Sequence, residues 1–493
     1  MPLATVFSRA KLGVHAPLVT IEVHLSSGLP SFNIVGLPEA SVRESRDRVR
    51  SALMNSRFDF PVSRITVNLA PADLPKEGGR FDLPIAIGIL VATGQVPIKS
   101  VAHYEFIGEL GLGGELRAVD AALPAAVQAS QASHTLILPS ANRGLAAIID
   151  GGALHEADSL LAVVAHLVGQ KTLAFASADD AEIKPDSYPD LADVRGQLSA
   201  KRALEIAAVG GHSLLLSGPP GTGKTLLAHR LPGILPPLSE TERLEIATVQ
   251  SVAGLPLNLN RPFRAPHHTA SGVALVGGGS YPRPGEISLA HRGVLFLDEL
   301  PEYPRKVLEV LREPLESGQV LISRAAQQLT FPAQFQLVAA MNPCPCGYDG
   351  DDSKECRCTP DQIQRYRSKI SGPLLDRIDL RIRVLRLPPG VLQDSSLGES
   401  SAEVRERVCA ARNLQLLRSD NINANLSPKE VYQFCALDAQ GQQFMLKAEQ
   451  KLGLSARAHH RLLKISRSIA DLAACEVIKL EHLQEAIIYR GEI

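Results

Sequence analysis

Along this 493-residue chain the spacing of apolar side chains switches between two periods. In the stretch RITVNLAP, Ile65, Val67 and Leu69 recur at every second position, which predicts a strand with one face buried. Thr20–Leu25 reads as another strand, whereas Glu39–Ser56 and Leu83–Ala92 read as helices. The longest apolar run, Leu83 to Gly94, has twelve residues; it is too short to span a bilayer and predicts a buried helix. Farther along, LLLS at 214–217, GVLFL at 293–297 and FQLVAAM at 335–341 predict buried strands, and the pattern turns helical throughout from 402. The result is an α/β chain in three blocks without internal repeats. A mixed block covers 1–176, a core covers 191–386, and a helical block covers 402–493. Polar, proline-bearing linkers separate them at 177–190 (SADDAEIKPDSYPD) and 387–401 (LPPGVLQDSSLGESS).

Composition changes this picture little. Basic and acidic residues nearly balance, leaving a net charge of −1, so no global basic field points to nucleic acid and any such contact must be local. Arg9, Lys11 and Glu22 interrupt the amino-terminal segment, which lacks the apolar run of a secretion signal. The expectation is a cytoplasmic chain without membrane contact, its seven cysteines reduced rather than paired in disulfides.

The segment LLLSGPPGTGKTLLAHRL joins a strand, a glycine-rich turn and a helix start. Gly218, Gly223, Lys224 and Thr225 satisfy the spacing G-x-x-x-x-G-K-T, and Pro219, Pro220, Gly221, Thr222 and Leu226 complete the loop. Glycines let backbone N–H groups close around phosphate oxygens, and the helix N-terminus adds positive potential. In such a loop Lys224 reaches the β- and γ-phosphates of ATP, and the Thr225 hydroxyl ligates Mg²⁺. Asp298 and Glu299 end the strand GVLFL, where one acid can hold the Mg²⁺ shell and its neighbour can polarise the attacking water. Asn342 ends the third strand, placed to orient the same water.

Four cysteines, Cys344, Cys346, Cys356 and Cys358, form two Cys-x-Cys pairs directly after Asn342 in a loop rich in Gly, Asp and Pro. Tetrahedral thiolate binding of Zn²⁺ suits a reducing compartment, because a metal would staple a loop with almost nothing apolar to pack. Unligated thiols and a redox pair stay open as alternatives. Cys409, Cys435 and Cys475 lie in helical surroundings and read as small core residues. His267 and His268 read as packing or capping side chains, since no carboxylate or cysteine lies near them in sequence.

The two strand-end motifs, the phosphate loop and the trailing helical block together resemble an AAA+ ATPase. That resemblance implies a ring in which an arginine from one subunit completes its neighbour's site. GPLLDRIDL at 372–380 resembles the arginine-finger segment and nominates Arg377. GLSARAHHR at 453–461 resembles the sensor-2 helix of the lid and nominates Arg457 as phosphate-facing. Surplus chain at 261–291 and around 316–335 resembles the helix-2 insert and presensor hairpin of one AAA+ clade, which includes magnesium-chelatase subunits and replicative helicases; in ring translocases such hairpins line the pore and grip DNA through basic tips. Arg261, Arg264 and Arg324 are the contacts this implies.

The amino-terminal stretches SRITVNLAPADLPKEGGRFDLPIAIGILVATG and FIGELGLGGELRAV resemble the Lon-protease domain, a ribosomal S5 domain 2-like fold. Where active relatives place a serine after Lys-Asp-Gly-Pro, Lys76-Glu77-Gly78-Gly79 is followed here by Arg80. Ala122–Ala125, where the lysine base is expected, contains none. Arginine is permanently protonated and no nucleophile, so peptidase activity is not expected. Taken whole, the chain resembles the ComM/YifB family of Mg-chelatase-like ATPases. The family implies a homo-hexameric helicase that promotes branch migration of recombination intermediates during natural transformation, with single-stranded and branched DNA and recombination proteins as partners. The alternative is a chelatase-type motor driving magnesium into a porphyrin through a partner, against which the Lon-like front argues.

Overall fold

The computed structural model describes residues 3–37, 39–142, 144–145, 148–149, 154–175, 188–279, 282–323, 328–351, 353–388 and 398–490. Two compact units make up the chain. The first comprises Met1–Lys184, Glu240–Leu259 and Ser323–Phe331, and the second comprises Pro185–Ser239, Asn260–Ile322 and Pro332–Ile493. The helix Glu240–Ala253, from the sequence stretch expected to form the nucleotide core, thus belongs to the first unit. Most of the 177–190 and 387–401 linkers lies outside the described residues, as does Arg324.

In the first unit seven strands form one mixed sheet: β1 (Leu3–Arg9), β2 (Leu18–Ser26), β3 (Ser31–Val35), β4 (Arg64–Ala70), β5 (Tyr104–Phe106), β6 (Thr135–Pro139) and β7 (Leu154–Ala157). Their order is β3-β4-β2-β1-β5-β6-β7. The period-two pattern sets the register of the central pair, where Ile21, Val23 and Leu25 face Leu69, Val67 and Ile65 across an antiparallel ladder. Against that face lies the helix Asp82–Ala92, buried along its whole length as its unbroken apolar sequence demands. The approach is close: a Cβ on Gly88 would stand 2.6 Å from Val23 Cγ2.

The second unit holds a five-stranded, wholly parallel sheet of β8 (Leu214–Ser217), β9 (Phe263–Arg264), β10 (Val294–Leu297), β11 (Gln336–Met341) and β12 (Leu380–Arg383). Its order is β9-β10-β11-β8-β12. Every residue of β8, β10 and β11 is buried, which is why these strands read as solid apolar runs rather than alternating ones. The chain then continues into helices Ser401–Ser419, Pro428–Phe434, Ala439–Leu452, Ala456–Leu472 and Leu480–Ile488. Two of them start at capping boxes, Ser400 with Glu403 and Ser427 with Glu430. Among the described residues no helix is long and apolar enough to cross a membrane.

Candidate nucleotide site

All five strands of the second sheet run the same way, so their carboxyl ends share one edge, where open α/β sheets bind ligands. Ser217 pairs with Met341, and Leu297 with Ala339. The phosphate loop after β8, the acids after β10 and Asn342 after β11 therefore emerge side by side. Gly221 and Gly223 take φ of +78° and +89°, conformations that close the loop and that a side chain would strain. A Cβ at Gly218 would collide with the Val384 carbonyl oxygen at 2.2 Å.

Lys224, at the start of the helix Lys224–Ala228, turns back into this loop. Its ammonium donates to the carbonyl oxygens of Gly218 (2.7 Å) and Pro219 (2.9 Å) and to Asn342 Oδ1 (3.1 Å). Burial holds its pKa below the usual lysine range. Anionic phosphate oxygens are stronger acceptors than these carbonyls, so the residues present suit a triphosphate. Thr225 Oγ1 donates to Asp298 Oδ2 at 2.7 Å, a hydroxyl beside a carboxylate, which is an oxygen set fit for Mg²⁺. Leu226 is exposed just beyond them. Glu299 sits in the left-handed region at φ +52°, its N–H donating to Asp298 Oδ1 at 2.9 Å.

Sequence reasoning missed a further neighbour. His268 Nδ1 lies 3.1 Å from Glu299 Oε2. The histidine pair had no carboxylate within reach in sequence, and no local pattern announces one that arrives through the fold.

The arginines named from the sequence have intrachain partners here. Arg377 is buried, and its guanidinium donates to the Pro373 carbonyl oxygen (2.7 Å) and pairs with Glu316 Oε1 (2.7 Å). Arg457, expected to face phosphate, pairs with that same Glu316 oxygen. Glu316, from the short helix Pro314–Ser317, gathers both because a single carboxylate can accept from two guanidinium groups. Arg261 and Arg264 also have partners within the chain. Arg264 makes a two-pronged pair with Glu286 at 2.6 and 2.7 Å, and Arg261 donates to the carbonyl oxygens of Arg292 (2.5 Å) and Pro236 (2.7 Å).

Cys344, Cys346, Cys356 and Cys358 converge so that their sulfurs all lie within 4.8 Å of one another. Cys344 Sγ is 3.3 Å from Cys346 Sγ and 3.7 Å from Cys356 Sγ. Burial opposes ionisation of Cys346, but the backbone N–H groups of Tyr348 and Arg357 bring its thiol down to about 6, while the neighbouring sulfurs push the thiols of Cys356 and Cys358 up. Four sulfurs at this spacing fit tetrahedral Zn²⁺. Arg367 donates to the Pro343 carbonyl oxygen (3.2 Å) and pairs with Asp349 (2.8 Å), while Arg383 donates to the Asp349 and Gly350 carbonyl oxygens (2.8 and 2.7 Å). Gly347, at φ +88°, touches the phosphate loop: a Cβ there would stand 2.8 Å from Pro220 Cδ. Of the other cysteines, Cys435 is buried, as expected of core, but Cys409, on the helix Ser401–Ser419, and Cys475, between the helices Ala456–Leu472 and Leu480–Ile488, are only partly buried.

In the first unit Arg80 is enclosed, its Nη2 3.5 Å from the Ala121 carbonyl oxygen and its Nε without a partner. Burial draws its pKa down to about 10. Lys76 is buried as well, its ammonium on the Pro71 carbonyl oxygen.

Three family models match the chain in sequence. "Subunit ChlI of Mg-chelatase" matches residues 21–142, "Magnesium chelatase, subunit ChlI" matches 190–392, and "Magnesium chelatase, subunit ChlI C-terminal" matches 398–490. The competence protein ComM of Haemophilus influenzae is 53% identical, the alignment covering 100% of this chain and 98% of that one. The uncharacterized protein YifB of Salmonella typhimurium is 51% identical over 100% and 97%. More distantly, the magnesium-chelatase 38 kDa subunit of Cereibacter sphaeroides is 23% identical over 44% of this chain and 70% of its own.

Proposed function

The chain belongs to the ComM/YifB family of Mg-chelatase-like AAA+ proteins, and from that premise we propose that it is an ATP-driven DNA motor. It works as a hexameric helicase on single-stranded and branched DNA, promoting branch migration during natural transformation. Its residues 1–176 form an inactive Lon-like domain, 191–386 the ATPase core with helix-2 insert and presensor hairpin, and 402–493 the lid, with linkers at 177–190 and 387–401. The observation that supports the ATP-driven part of the reading is the cluster of Lys224, Thr225, Asp298 and Asn342 at adjacent carboxyl ends of one parallel sheet, and the likeness to the competence protein ComM supports the DNA part.

Each side chain has a defined task. Lys224 exchanges its loop carbonyls for the β- and γ-phosphates of ATP, and Gly218 to Leu226 wrap the triphosphate. Thr225 and Asp298 would hold Mg²⁺, which would neutralise charge developing on the phosphoryl oxygens. Glu299 accepts the proton of the attacking water, and Asn342 orients that water. Arg377 leaves Glu316 to complete the neighbouring subunit's site, and Arg457 contributes a second cation. Cys344, Cys346, Cys356 and Cys358 would hold Zn²⁺, which would staple the loop that follows Asn342. DNA is gripped by the basic loops that carry Arg261, Arg264 and Arg324.

ATP turnover measured with and without single-stranded DNA tests this. DNA is expected to bind and to raise the rate. Absence of both binding and stimulation would sink the DNA reading in favour of a chelatase-type motor.

A further inference from the structure

The carboxylate of Asp379 is buried just ahead of β12, two residues beyond Arg377. Arg461 Nη1 donates to its Oδ1 at 2.6 Å, and the Ser213 backbone N–H donates to its Oδ2 at 3.0 Å. Burial opposes its ionisation, but the Arg461 guanidinium and the donors around it hold it well below the usual carboxylate range. We propose that Asp379 is a positioning residue for Arg377: it fastens the segment carrying that arginine between the helix Ala456–Leu472 and the strand that leads into the phosphate loop. The proposal rests on the reading of Arg377 as the arginine that one subunit lends to the next.

Ser213 closes one side of the fastening. Its hydroxyl accepts from the Asp379 backbone N–H at 2.9 Å. The same oxygen lies 2.9 Å from the Arg377 carbonyl oxygen and 3.1 Å from Asp379 Oδ2, one of which takes its single hydrogen. The Leu380 N–H donates to the Ser213 carbonyl oxygen at 2.9 Å. Ser213 directly precedes β8, so the Arg377 segment and the phosphate loop of the same chain are fixed to opposite ends of one four-residue strand. On the other side, Arg461 lies one turn beyond Arg457 in the helix Ala456–Leu472, and residues four apart share a helix face. Asp379 thereby ties together the two segments whose arginines meet at Glu316.

The side-chain partners of Arg377 do less to aim it. One is the Pro373 carbonyl oxygen four residues earlier, and the other is Glu316, whose side chain is 40% exposed. A long guanidinium arm is directed by the backbone beneath it, and a displacement of about 1 Å at a reacting centre costs roughly a hundredfold in rate. A buried ion pair is weak evidence of stability, since apolar side chains of similar volume often serve as well; its best-attested use is to fix register.

The test mixes two full-length chains, a Lys224→Ala lender that keeps Arg377 and an Arg377→Ala receiver that keeps the phosphate loop. Adding Asp379→Asn to the lender is expected to lower the restored ATP turnover by about tenfold to a hundredfold. Added to the receiver instead, it is expected to leave turnover, and binding of a fluorescent ATP analogue, near the level of the unaltered mixture. A role in folding alone would weaken both mixtures alike, so equal loss overturns the proposal, as does no loss in either. Ser213→Ala removes one hydroxyl and no charge, and is expected to give a milder loss, again only in the lender. It carries the comparison if Asp379→Asn abolishes analogue binding, and equal loss there overturns the proposal too. A mixture silent without either change refutes the lending of Arg377, and the inference falls with that reading. An active mixture lowered equally from both sides sinks this inference alone.

Discussion

Lys224 sets a charge among carbonyl oxygens, and burial makes that charge costly to hold. Lys224→Ala removes both the charge and the reach, and is expected to abolish binding of a fluorescent ATP analogue, checked by titration. Glu299→Gln keeps shape and size but cannot take a proton. It is expected to bind the analogue normally and lose hydrolysis, so turnover at the wild-type rate would refute its role as base. Arg80 poses the opposite case, a buried guanidinium with an unpartnered Nε and a lowered pKa. Replacing a poorly paired buried ion by an apolar side chain of similar length often stabilises. Arg80→Met is accordingly expected to raise the thermal midpoint, by about 1–2 kcal/mol of stability. A lowered midpoint would mean that Asp120 and Glu77 neutralise the charge better than their distance-dependent pull implies.

Secondary elements show where sequence could and could not be read. Ile65, Val67 and Leu69 revealed their strand because one face of it is buried, and the helix Asp82–Ala92 revealed itself because both faces are. Phosphate-loop residues were legible too, since glycine spacing and a strand-to-helix transition are local. Glu299 with His268, and Glu316 with Arg377 and Arg457, were not. Each pair is joined by tertiary approach of segments tens of residues apart, which no periodicity encodes. The same limit applied to Arg264, whose charge in a Gly- and Pro-rich loop looked free until Glu286 was found against it. Ser400→Ala, which removes one capping box, is expected to cost about 1 kcal/mol in chemical denaturation. Cys344→Ser is expected to lose metal and melt earlier; elemental analysis of the wild type showing no zinc would remove the metal site altogether.

At the scale of the whole molecule the proposed chemistry needs more than one copy, because Arg377 lies on Glu316 and not on its own phosphate loop. Lys224→Ala subunits can lend an arginine but bind no ATP. Arg377→Ala subunits bind ATP but lend nothing. Each alone is expected to be inactive, and mixing them is expected to restore part of the turnover, measured across a range of ratios. A mixture that stays silent at every ratio would place the arginine's role within one chain. Gly347 sets a different kind of constraint. At φ +88° and pressed against Pro220, it leaves no space for any side chain between the sulfur cluster and the fuel pocket. A side chain at position 347 would therefore have to push Pro220 aside, so that any change made in the cysteine loop at this point is passed directly to the turn that wraps the fuel.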